Sequence, residues 1–501
     1  MAQLYDDEEL TYFTNHIGEI LTKIDDIVGI KLDPTRKEIN EIIKNISEYL
    51  QQNKRKVYGG SALNLAIKMK SPEMAIYSND EEPHDFDVYS PDPIKDIVNI
   101  CNILHEKGFK NIVGREALHT ESYSVVVNDH QYCDISYSPR NVYNKTPFMT
   151  VEGFTIAHPQ FMWIDFLRMF VDPMLSAKFR WEKHFKRFYL LQKFYPIRKN
   201  NKRVVFDGKA IDVKVYDKIF DHLKTTKTII VIGQCVYNMY VDVSKISSKY
   251  IMKMPITQIE LIATEYEQDV KSLIEYMKSN ISKDIQVKEY YPFFQVTGYS
   301  TEIILNDRPI IKIYNYNKIC FPFSEHKGVL IGSFHLNLLY VLIDAIYARA
   351  NENRKEEQTY FEMAAHFIQM RREFMAFKDK TFLDDTIFKD FSGDCVGQTK
   401  QGKIEKLEEK RAGIKKHMFS YNPEKPGGAN EANWTYMNSS GNMVHNPKNY
   451  RIKLDPDIHV VIKEEIKDDK PKALVDQEDK SREPDKNEDN KTTDLSEFAS
   501  F

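Results

Sequence analysis

The sequence Val57-Tyr58-Gly59-Gly60-Ser61-Ala62, followed further along by Asp85-Phe86-Asp87, decides the fold. Residues 56–58 predict a short strand, the glycines and Ser61 predict a tight turn, and residues 62–68 predict a helix with apolar side chains at helical spacing. Such a turn can bind phosphate, because glycines let backbone N–H groups approach the anion and the helix dipole favours it. The serine hydroxyl can donate one more hydrogen bond. An ordinary strand-to-helix turn without a ligand is the alternative interpretation.

The acidic pair Asp85 and Asp87 is the second part of the pattern. Side chains alternate along a strand, so both carboxylates project from one face while Phe86 and Val88 point into a core. Carboxylate oxygens suit Mg²⁺, and two-metal phosphoryl-transfer sites hold their ions about 3.5–4 Å apart, so that one carboxylate can bridge both. Alone the pair is a weak signal, because acidic pairs also occur on solvated strand edges.

A capped helix and a hairpin are predicted after the acidic pair. Asp92 is typical of an N-cap and Pro93 of a first helical position, and the apolar residues that follow form one stripe. Residues 123–127 and 131–136 predict two strands joined by a two-residue turn. In the second strand Asp134 is flanked by apolar residues that face the core, so its side chain faces the opposite side. The spacing does not decide whether Asp134 is a metal ligand or an ordinary polar position of an alternating strand.

These residues carry a resemblance to a known family. The Gly59-Gly60-Ser61 turn, the acidic pair followed by a helix, and Asp134 on a later strand resemble the DNA polymerase beta-like nucleotidyltransferase superfamily. Residues 57–62, 85–92 and 107–109 look more closely like the catalytic subunit of viral poly(A) polymerases, found in poxviruses, asfarviruses and giant viruses. One departure is a longer gap between turn and acids than the superfamily usually has. Its polar residues 70–83 predict a surface loop.

The resemblance implies a site and a reaction. Asp85 and Asp87 would bind two Mg²⁺ or Mn²⁺ ions, and Asp134 would complete the metal site. The implied chemistry is in-line attack of an RNA 3′-oxygen on the α-phosphate of ATP, with release of pyrophosphate. The resemblance also implies that the turn residues Gly59, Gly60 and Ser61 bind the triphosphate of ATP. Arg180 and Lys183, two cations on one helix face, would bind the same phosphates, with an ordinary solvated helix as the alternative interpretation.

A basic and aromatic segment lies at residues 178–203, with ten Lys or Arg and a single acid, Glu182. Cations that follow a phosphate backbone and rings that stack on bases are typical of single-stranded RNA binding. Most of the rings also fall at amphipathic helix spacing, which favours a core position for them. The predicted RNA contacts are Lys186, Arg187, Arg198 and Lys199.

The chain also contains an internal repeat. Residues 231–238 align with residues 57–64 at an offset of 174, and residues 258–261 align with residues 85–88 at an offset of 173. Asn306-Asp307 matches Asn128-Asp129 at an offset of 178, and at that offset Lys312 replaces Asp134. Gln258 and Glu260 stand where the first copy has its acidic pair. We therefore predict that the second copy is a degenerate domain without catalytic metals, with a coincidental βα unit as the alternative.

The composition agrees with a soluble protein of several domains: 42% of its residues are hydrophobic, and no apolar run is long enough to span a bilayer. The net charge of −4 hides an acidic tail, since residues 455–501 carry 15 acids and 8 bases. The cysteines lack the spacing of a zinc site, so we expect reduced thiols and a cytosolic or equivalent compartment. They are Cys101, Cys133, Cys235, Cys320 and Cys395.

The predicted fold class is α+β, with two tandem nucleotidyltransferase-like domains, each a mixed sheet with flanking helices. Residues 1–50 form a helical segment that braces residues 51–195, the catalytic domain. Residues 196–380 form the degenerate domain, which ends in long helices at residues 334–350 and 358–377. Residues 381–455 are expected to hold a basic helix (400–417) and an extended arm (421–449), and residues 456–501 a disordered acidic tail.

The sequence thus predicts a template-independent viral poly(A) polymerase that uses ATP and the 3′ end of single-stranded RNA, in the host cytoplasm at the viral factory, in the virion, or in both. An enzyme that adds another base, or a CCA-adding enzyme, would share all metal ligands. A non-catalytic RNA-binding processivity subunit is disfavoured by the intact acids, and a small-molecule nucleotidyltransferase by the basic segment and the second domain. A homodimer or a viral partner subunit is compatible with the sequence, and no membrane association is expected.

Overall fold

The computed structural model describes residues 6–31, 36–77, 85–117, 122–138, 140–199, 201–290, 297–315, 319–389, 394–399, 419–425 and 460–463. Two helices, α1 (Asp7–Lys31) and α2 (Arg36–Gln52), come first. Helix α2 buries Ile42, Ile46 and Leu50 against the first domain, whereas no residue of α1 up to residue 24 is buried. Helix α2 therefore packs against the first domain, as the predicted bracing role requires.

The first sheet follows the predicted strand, turn and helix closely. Its helices cover it with their apolar stripes. The strands are β1 (Lys56–Tyr58), β2 (Phe86–Ser90), β3 (Ile112–Glu116), β4 (Ser122–Val127), β5 (His130–Tyr137), β6 (Phe148–Val151) and β7 (Phe154–Ala157), and the helices are α3 (Gly59–Lys68), α4 (Pro93–Glu106), α5 (Arg140–Lys145), α6 (Pro159–Phe170) and α7 (Pro173–Phe194).

The second sheet is built from the same kinds of element. Its strands are β8 (Ile229–Ile232), β9 (Ile259–Ala263), β10 (Ile285–Tyr290), β11 (Ser300–Leu305), β12 (Arg308–Asn315), β13 (Phe321–His326) and β14 (Val329–Gly332). Its helices are α8 (Val213–Thr225), α9 (Gln234–Ser244), α10 (Tyr266–Asn280), α11 (Phe334–Ala350) and α12 (Arg354–Lys378). Three short strands come later in the chain: β15 (Cys395–Val396), β16 (Ser420–Tyr421) and β17 (Val460–Lys463).

The strand orders of the two sheets correspond throughout. The first sheet has the order β16-β3-β4-β5-β2-β1-β7-β6, and the second, read from its β17 edge, has the order β17-β10-β11-β12-β9-β8-β14-β13-β15. Without the three late strands, each strand of the first sheet has a counterpart at the same place in the second. The predicted mixed α+β fold with an internal repeat is confirmed.

The equivalence extends to single residues. The β4–β5 hairpin turns through Asn128 and Asp129 with positive φ angles of 48° and 65°, and the β11–β12 hairpin turns through Asn306 and Asp307 with 51° and 59°. Asparagine and aspartate tolerate this left-handed conformation better than most residues. Both hairpins also shift register at equivalent points, after Val125 and after Ile303, which are again 178 residues apart. The two domains therefore share one template in detail.

The two domains pack against each other through α6 and α11. The Phe170 ring stacks on the His335 ring with centroids 5.1 Å apart, and Lys145 forms an ion pair with Glu352. Helix α11 is buried along nearly its whole length. The contacts between the two domains thus involve α5 and α6 of the first domain and α11 of the second.

The late strands correct two predictions about the end of the chain. Val460–Lys463 forms β17 and pairs in parallel with β10, so the expectation of disorder from residue 456 onward is wrong for these four residues. Three of the four, Val460, Val461 and Ile462, are β-branched residues, which favour strands. Strand β16 pairs with β3 and β15 with β13, so parts of residues 381–455 belong to the two sheets. The predicted basic helix at 400–417 lies outside the described residues, as does most of the predicted arm.

The cysteines also differ from the prediction. Cys320 and Cys395 form a disulfide with their Cα atoms 5.3 Å apart, so the expectation of reduced thiols is wrong for this pair. The cause is the pairing of β13 with β15, a contact between segments 75 residues apart that spacing does not reveal. Cys101, Cys133 and Cys235 are free and buried. Among the described helices, none is both long and apolar enough to cross a bilayer.

A buried ion pair joins α4 to the loop between α2 and β1, and we expect its removal to lower stability. The Asp96 carboxylate is fully buried and accepts from Arg55 at 2.8 and 2.9 Å and from the Tyr49 hydroxyl at 2.6 Å. Asp96→Ala leaves Arg55 without its partner, which typically costs ~3–5 kcal/mol. We expect a lower free energy of unfolding by urea, whereas Glu48→Gln, in an exposed pair with Lys44, should change it by less than about 1 kcal/mol. Equal effects of the two substitutions would contradict a structural role for the buried pair.

Candidate active site

The predicted carboxylates meet at the centre of the first sheet. Strand β2 lies between β1 and β5, and Asp87 pairs in register with Tyr58 on one side and with Asp134 on the other. Residues in register on neighbouring strands present their side chains on the same face. Asp85 is exposed and directly precedes β2, and its charge acts on both other carboxyl groups. The structure therefore brings the three predicted acids together.

The glycine turn lies against one of these acids. Gly59 has a φ of +68°, a conformation that favours glycine. A Cβ atom on Gly59 would stand 2.3 Å from the Asp87 Oδ2 atom, closer than any real contact. Helix α3 begins at Gly59 itself, so the backbone N–H groups of the helix start lie next to the acidic strand. Glycine is required at position 59 by both conformation and space.

Ser61 has a partner within the protein. Its side chain is buried, and its hydroxyl donates to the backbone carbonyl of Asp85 at 2.9 Å. This bond ties the start of α3 to the residue that precedes β2, and so helps to fix the distance between the turn and the acids. The donation of this hydroxyl to a phosphate stays a prediction.

Arg187 and Tyr77 border the turn, and the sequence analysis did not assign either of them to this place. A Cβ on Gly60 would stand 2.4 Å from the Tyr77 hydroxyl oxygen and 2.7 Å from Arg187 Nη1. Arg187 donates to that hydroxyl at 2.8 Å, and Asn64 holds the loop by accepting from the Tyr77 backbone N–H at 3.2 Å. Arg187, predicted as an RNA contact, therefore lies at the glycine turn with its guanidinium beside the helix start.

Asp134 is held in place by two side chains. Its Oδ1 atom accepts from the Ser124 hydroxyl at 2.5 Å and its Oδ2 atom from the Gln131 amide at 2.9 Å. Its neighbours Cys133 and Ile135 are fully buried on the other face, as the alternation predicted. The carboxylate thus has a fixed orientation toward the acidic strand.

The site carries an excess of negative charge. Burial and, after it, the charges of Asp85, Asp134 and Asp165 together raise the pKa of Asp87 to about 8, while the charge of Arg187 opposes them. Burial also raises the pKa of Asp134, against the two hydrogen bonds that it accepts. Like charges held close together disfavour full ionisation of the group. A bound cation would remove this repulsion.

Asp165 on α6 is a fourth acid beneath the site, and its place was not predicted. It accepts from the Tyr89 hydroxyl at 2.7 Å, and Tyr89 stacks on Tyr58 with ring centroids 3.9 Å apart. Tyr58 in turn shares a hydrogen bond of 3.0 Å with Ser136. Asp165 is the one acid in a helix that is apolar apart from Gln160 and Arg168, a weak signal that could have marked it. These hydrogen-bonded side chains link α6 to the strands that carry the acids.

The remaining predicted cations occupy α7 and the segment after it. Arg180, Lys183 and Arg187 fall three to seven residues apart and share one face of the helix. Burial together with the charges of these three residues lowers the pKa of His184 to about 4. Lys186 is exposed and pairs with Glu182. The predicted RNA contacts outside the helix, Arg198 and Lys199, are both exposed.

The aromatic residues of α7 divide between core and surface. Phe188 is buried, and Trp181 packs against the core with its ring N–H donating to the Met169 carbonyl at 3.0 Å. Phe185 and Tyr189 are 46% and 53% exposed. They lie one turn apart, so they form a continuous exposed aromatic surface on the helix.

A divalent cation fits this set of donors. In the described part of the chain, no three His, Cys, Asp or Glu side chains are already gathered in the geometry of a metal site. The side chains that meet here are carboxylates, which are the ligands that hard cations such as Mg²⁺ prefer. The mutual repulsion at Asp87 is relieved by a cation, which supports the fit on chemical grounds.

We expect Gly59→Ala to inactivate the site without unfolding the chain. The added methyl group meets the Asp87 carboxylate and must displace it, and displacements of about 1 Å can cost ~10²-fold in rate. Gly18→Ala is the matched control, because a Cβ on Gly18 meets no atom within 4 Å. Both variants are assayed for nucleotide incorporation and for thermal unfolding. Equal activity of the two would show that the glycine turn does not position Asp87.

The fold and the site together define a nucleotidyltransferase. A family model described as "Poly(A) polymerase catalytic subunit" matches residues 44–176, and one described as "APMV, Putative poly(A) polymerase, catalytic subunit, C-terminal" matches residues 190–454. The two matches cover the first and the second domain in turn. The chain belongs to the poly(A) polymerase catalytic subunit family, and the predicted class is confirmed.

Individual relatives agree with the family models. The "Putative poly(A) polymerase catalytic subunit" of Acanthamoeba polyphaga mimivirus is 32% identical over 502 residues, which cover 89% of this chain and 85% of that protein. The protein of the same name from African swine fever virus (strain Badajoz 1971 Vero-adapted) is 24% identical over 309 residues, which cover 60% and 59%. The crystal structure of the Megavirus polyadenylate synthase is similar with a TM-score of 0.72 and 28% identity, over 89% of this chain and 90% of that one.

Proposed function

We propose that this chain lengthens RNA 3′ ends by transferring AMP from ATP to the terminal 3′-hydroxyl, with release of pyrophosphate and without a template. The observation that carries the proposal is the pairing of Asp87 with Asp134 in register, beside the Gly59-Gly60 turn and Arg187. This arrangement offers carboxylates for metal next to N–H groups and a guanidinium for phosphate. In-line phosphoryl transfer requires both.

The proposed metal ligands are Asp85, Asp87 and Asp134, which would hold two Mg²⁺ or Mn²⁺ ions. When bound, such ions stabilise negative charge on the attacking and the leaving oxygens. The chain's own residues fix where this happens: Ser124 and Gln131 orient Asp134. The exposed position of Asp85 leaves the site open to substrate.

We propose Arg187 as a triphosphate ligand rather than an RNA ligand. Its guanidinium stands beside Gly60 at the start of α3, where backbone N–H groups and the helix dipole favour an anion. A guanidinium can bind phosphate oxygens in a bidentate manner. Gly59 keeps the turn close to Asp87. Arg180 and Lys183 would extend the positive charge along the same face of α7. Ser61 would act indirectly, through its bond to Asp85.

The proposed RNA surface consists of the exposed cations and rings of α7 and the segment that follows. Phe185 and Tyr189 could each stack on a base, and such stacking is worth about 1–3 kcal/mol per base. Lys186 would exchange its exposed partner Glu182 for a phosphate at little cost, because surface ion pairs contribute about 0–1 kcal/mol. Arg198 and Lys199 would continue the track.

We further propose that catalysis is confined to the first domain, because Glu260 and Lys312 replace Asp87 and Asp134 in the second. The proposed place of action is the host cytoplasm at the viral factory, or the virion. Association with a second copy or with a viral partner subunit stays part of the proposal. An enzyme that adds a base other than adenine remains the second candidate, since the acids and the turn do not contact the base.

One experiment separates these functions. The full-length protein is incubated with labelled RNA, Mg²⁺ or Mn²⁺, and each ribonucleoside triphosphate in turn, beside Asp85→Ala and Asp134→Ala. We expect extension with ATP and none by the variants. If the RNA were extended with only one other nucleotide, that nucleotide and not ATP would be the substrate. No extension with any nucleotide would contradict the enzymatic proposal.

A further inference from the structure

The glycine turn of the second domain already holds the acidic side chain of Glu260. Gly233 has a φ of +69° and precedes α9 as Gly59 begins α3. The Glu260 Oε2 atom accepts from the backbone N–H of Gln234, the first residue of α9, at 2.9 Å. A Cβ on Gly233 would stand 1.4 Å from that oxygen. The carboxylate of Glu260 thus lies in the cradle that a phosphate would occupy at such a turn.

The first domain differs by one methylene group. Asp87 occupies the position of Glu260, since Asp87 pairs with Tyr58 as Glu260 pairs with Ile232. Aspartate is shorter, and among the described residues no hydrogen bond runs from the Gly60 N–H to the Asp87 carboxylate. In the first domain the Gly60 N–H is therefore left for a ligand. In the second domain the equivalent N–H, that of Gln234, already donates to the longer Glu260 side chain.

In the second domain a lysine, Lys312, stands where the first domain has the proposed metal ligand Asp134. Lys312 pairs in register with Glu260 as Asp134 pairs with Asp87. Its ammonium group is 3.4 Å from the Asp344 Oδ1 atom and its side chain is only 15% exposed. The nitrogen also lies 4.8 Å from the ring centroids of both Tyr314 and Tyr347. One positive charge therefore stands among the carboxylates at the place equivalent to a metal ligand of the first domain.

Tyrosines close the second site from solvent. Glu260 is 1% exposed and its Oε1 atom accepts from the Tyr360 hydroxyl at 3.4 Å. Tyr314 donates to Asp344. By contrast, Asp87, the counterpart of Glu260 in the first site, is partly exposed. A ligand would have to displace buried, hydrogen-bonded side chains to enter the second site.

We propose that the second site is permanently filled by its own side chains, with the Glu260 carboxylate in place of phosphate and the Lys312 ammonium in place of a metal ion. The domain therefore binds neither nucleotide nor divalent cation at this position. This goes beyond the proposed reaction, since it holds whichever nucleotide the first site uses. The function of the filled site is structural: it fixes α9, α11 and α12 around β9 and β12, because buried charges persist only when paired and hydrogen-bonded.

The test replaces the Lys312 ammonium group by a carboxylate that can bind a metal ion. Lys312→Asp in the full-length chain removes the ammonium and places a third carboxylate beside Glu260 and Asp344. We expect this variant to bind one more Mn²⁺ per chain than the natural protein, counted by electron paramagnetic resonance of free Mn²⁺. Lys312→Asn is the matched control, since it removes the same charge without supplying a carboxylate, and it should bind no additional ion.

The variant remains informative when it does not fold. Three buried carboxylates repel one another, so Lys312→Asp without metal should unfold at a lower temperature than Lys312→Asn, and millimolar Mn²⁺ should reverse this order. No additional ion in a folded variant, or an unfolded variant that Mn²⁺ does not rescue, would overturn the proposal. Nucleotide photocrosslinking to residues 229–263 of the natural protein would overturn it as well.

Discussion

Asp87→Asn is expected to lower the rate of single-nucleotide incorporation by about 10³-fold, equivalent to ~4 kcal/mol of transition-state stabilisation. The amide keeps the size of the side chain but removes the negative charge that faces both Asp134 and the glycine turn. A neutral ligand holds a divalent cation far less well than a carboxylate. The substitution also relieves the repulsion that raises the pKa of this group, so stability should rise or stay unchanged. Single-turnover kinetics and thermal unfolding measure the two quantities.

The control for this prediction is Asp92→Asn, a change of the same charge five residues along the chain. Asp92 accepts from Arg140 at 2.6 Å near the surface and has no contact with the site acids. We expect its activity to differ less than about threefold from that of the natural protein, equivalent to ~0.7 kcal/mol. A loss of activity in Asp87→Asn that is accompanied by unfolding would contradict the catalytic assignment.

Arg187→Gln is expected to produce the second large effect, a drop of about 10- to 100-fold in kcat/KM for ATP, since hydrogen bonds to charged groups contribute ~1.5–3 kcal/mol. The guanidinium lies beside Gly60, at the end of α3 that favours anions. An RNA contact at this residue would instead change KM for RNA and leave KM for ATP unaltered. Steady-state kinetics with each substrate varied in turn distinguishes the two roles.

Tyr77→Phe is the matched control, because Arg187 donates to the Tyr77 hydroxyl. This substitution removes the hydrogen bond that orients the guanidinium but leaves its charge beside the turn. We expect a loss of less than about tenfold, or ~1.4 kcal/mol. A loss as large as that of Arg187→Gln would mean that Arg187 acts by holding the loop and not by binding phosphate.

The local parts of the site could be predicted because their signals lie close together in sequence. The strand, the glycines and the helix span residues 56–68, and the hairpin with Asp134 shows alternation around a turn that Asn128 and Asp129 permit. The repeat was visible because the same short signals recur at nearly constant offsets. The strand orders then follow from the common template.

The remaining parts depend on contacts between distant segments. Arg187 reaches the Tyr77 hydroxyl across 110 residues, and β17 pairs with β10 although the intervening chain exceeds 150 residues. Periodicity and capping act over a few residues, so they carry no information about such partners. The same holds for Ser61, whose hydroxyl donates to the Asp85 carbonyl, 24 residues further along the chain.

The most direct test of the account compares two RNA primers that differ only at the terminal ribose, one with a 3′-hydroxyl and one with a 3′-deoxy end. The full-length protein is given ATP and Mg²⁺, and the products are resolved at single-nucleotide length together with the pyrophosphate released. We predict that the hydroxyl primer grows by adenylates with one pyrophosphate per addition, and that the deoxy primer does not grow. Extension of the deoxy primer, or no extension of the hydroxyl primer, would contradict the account.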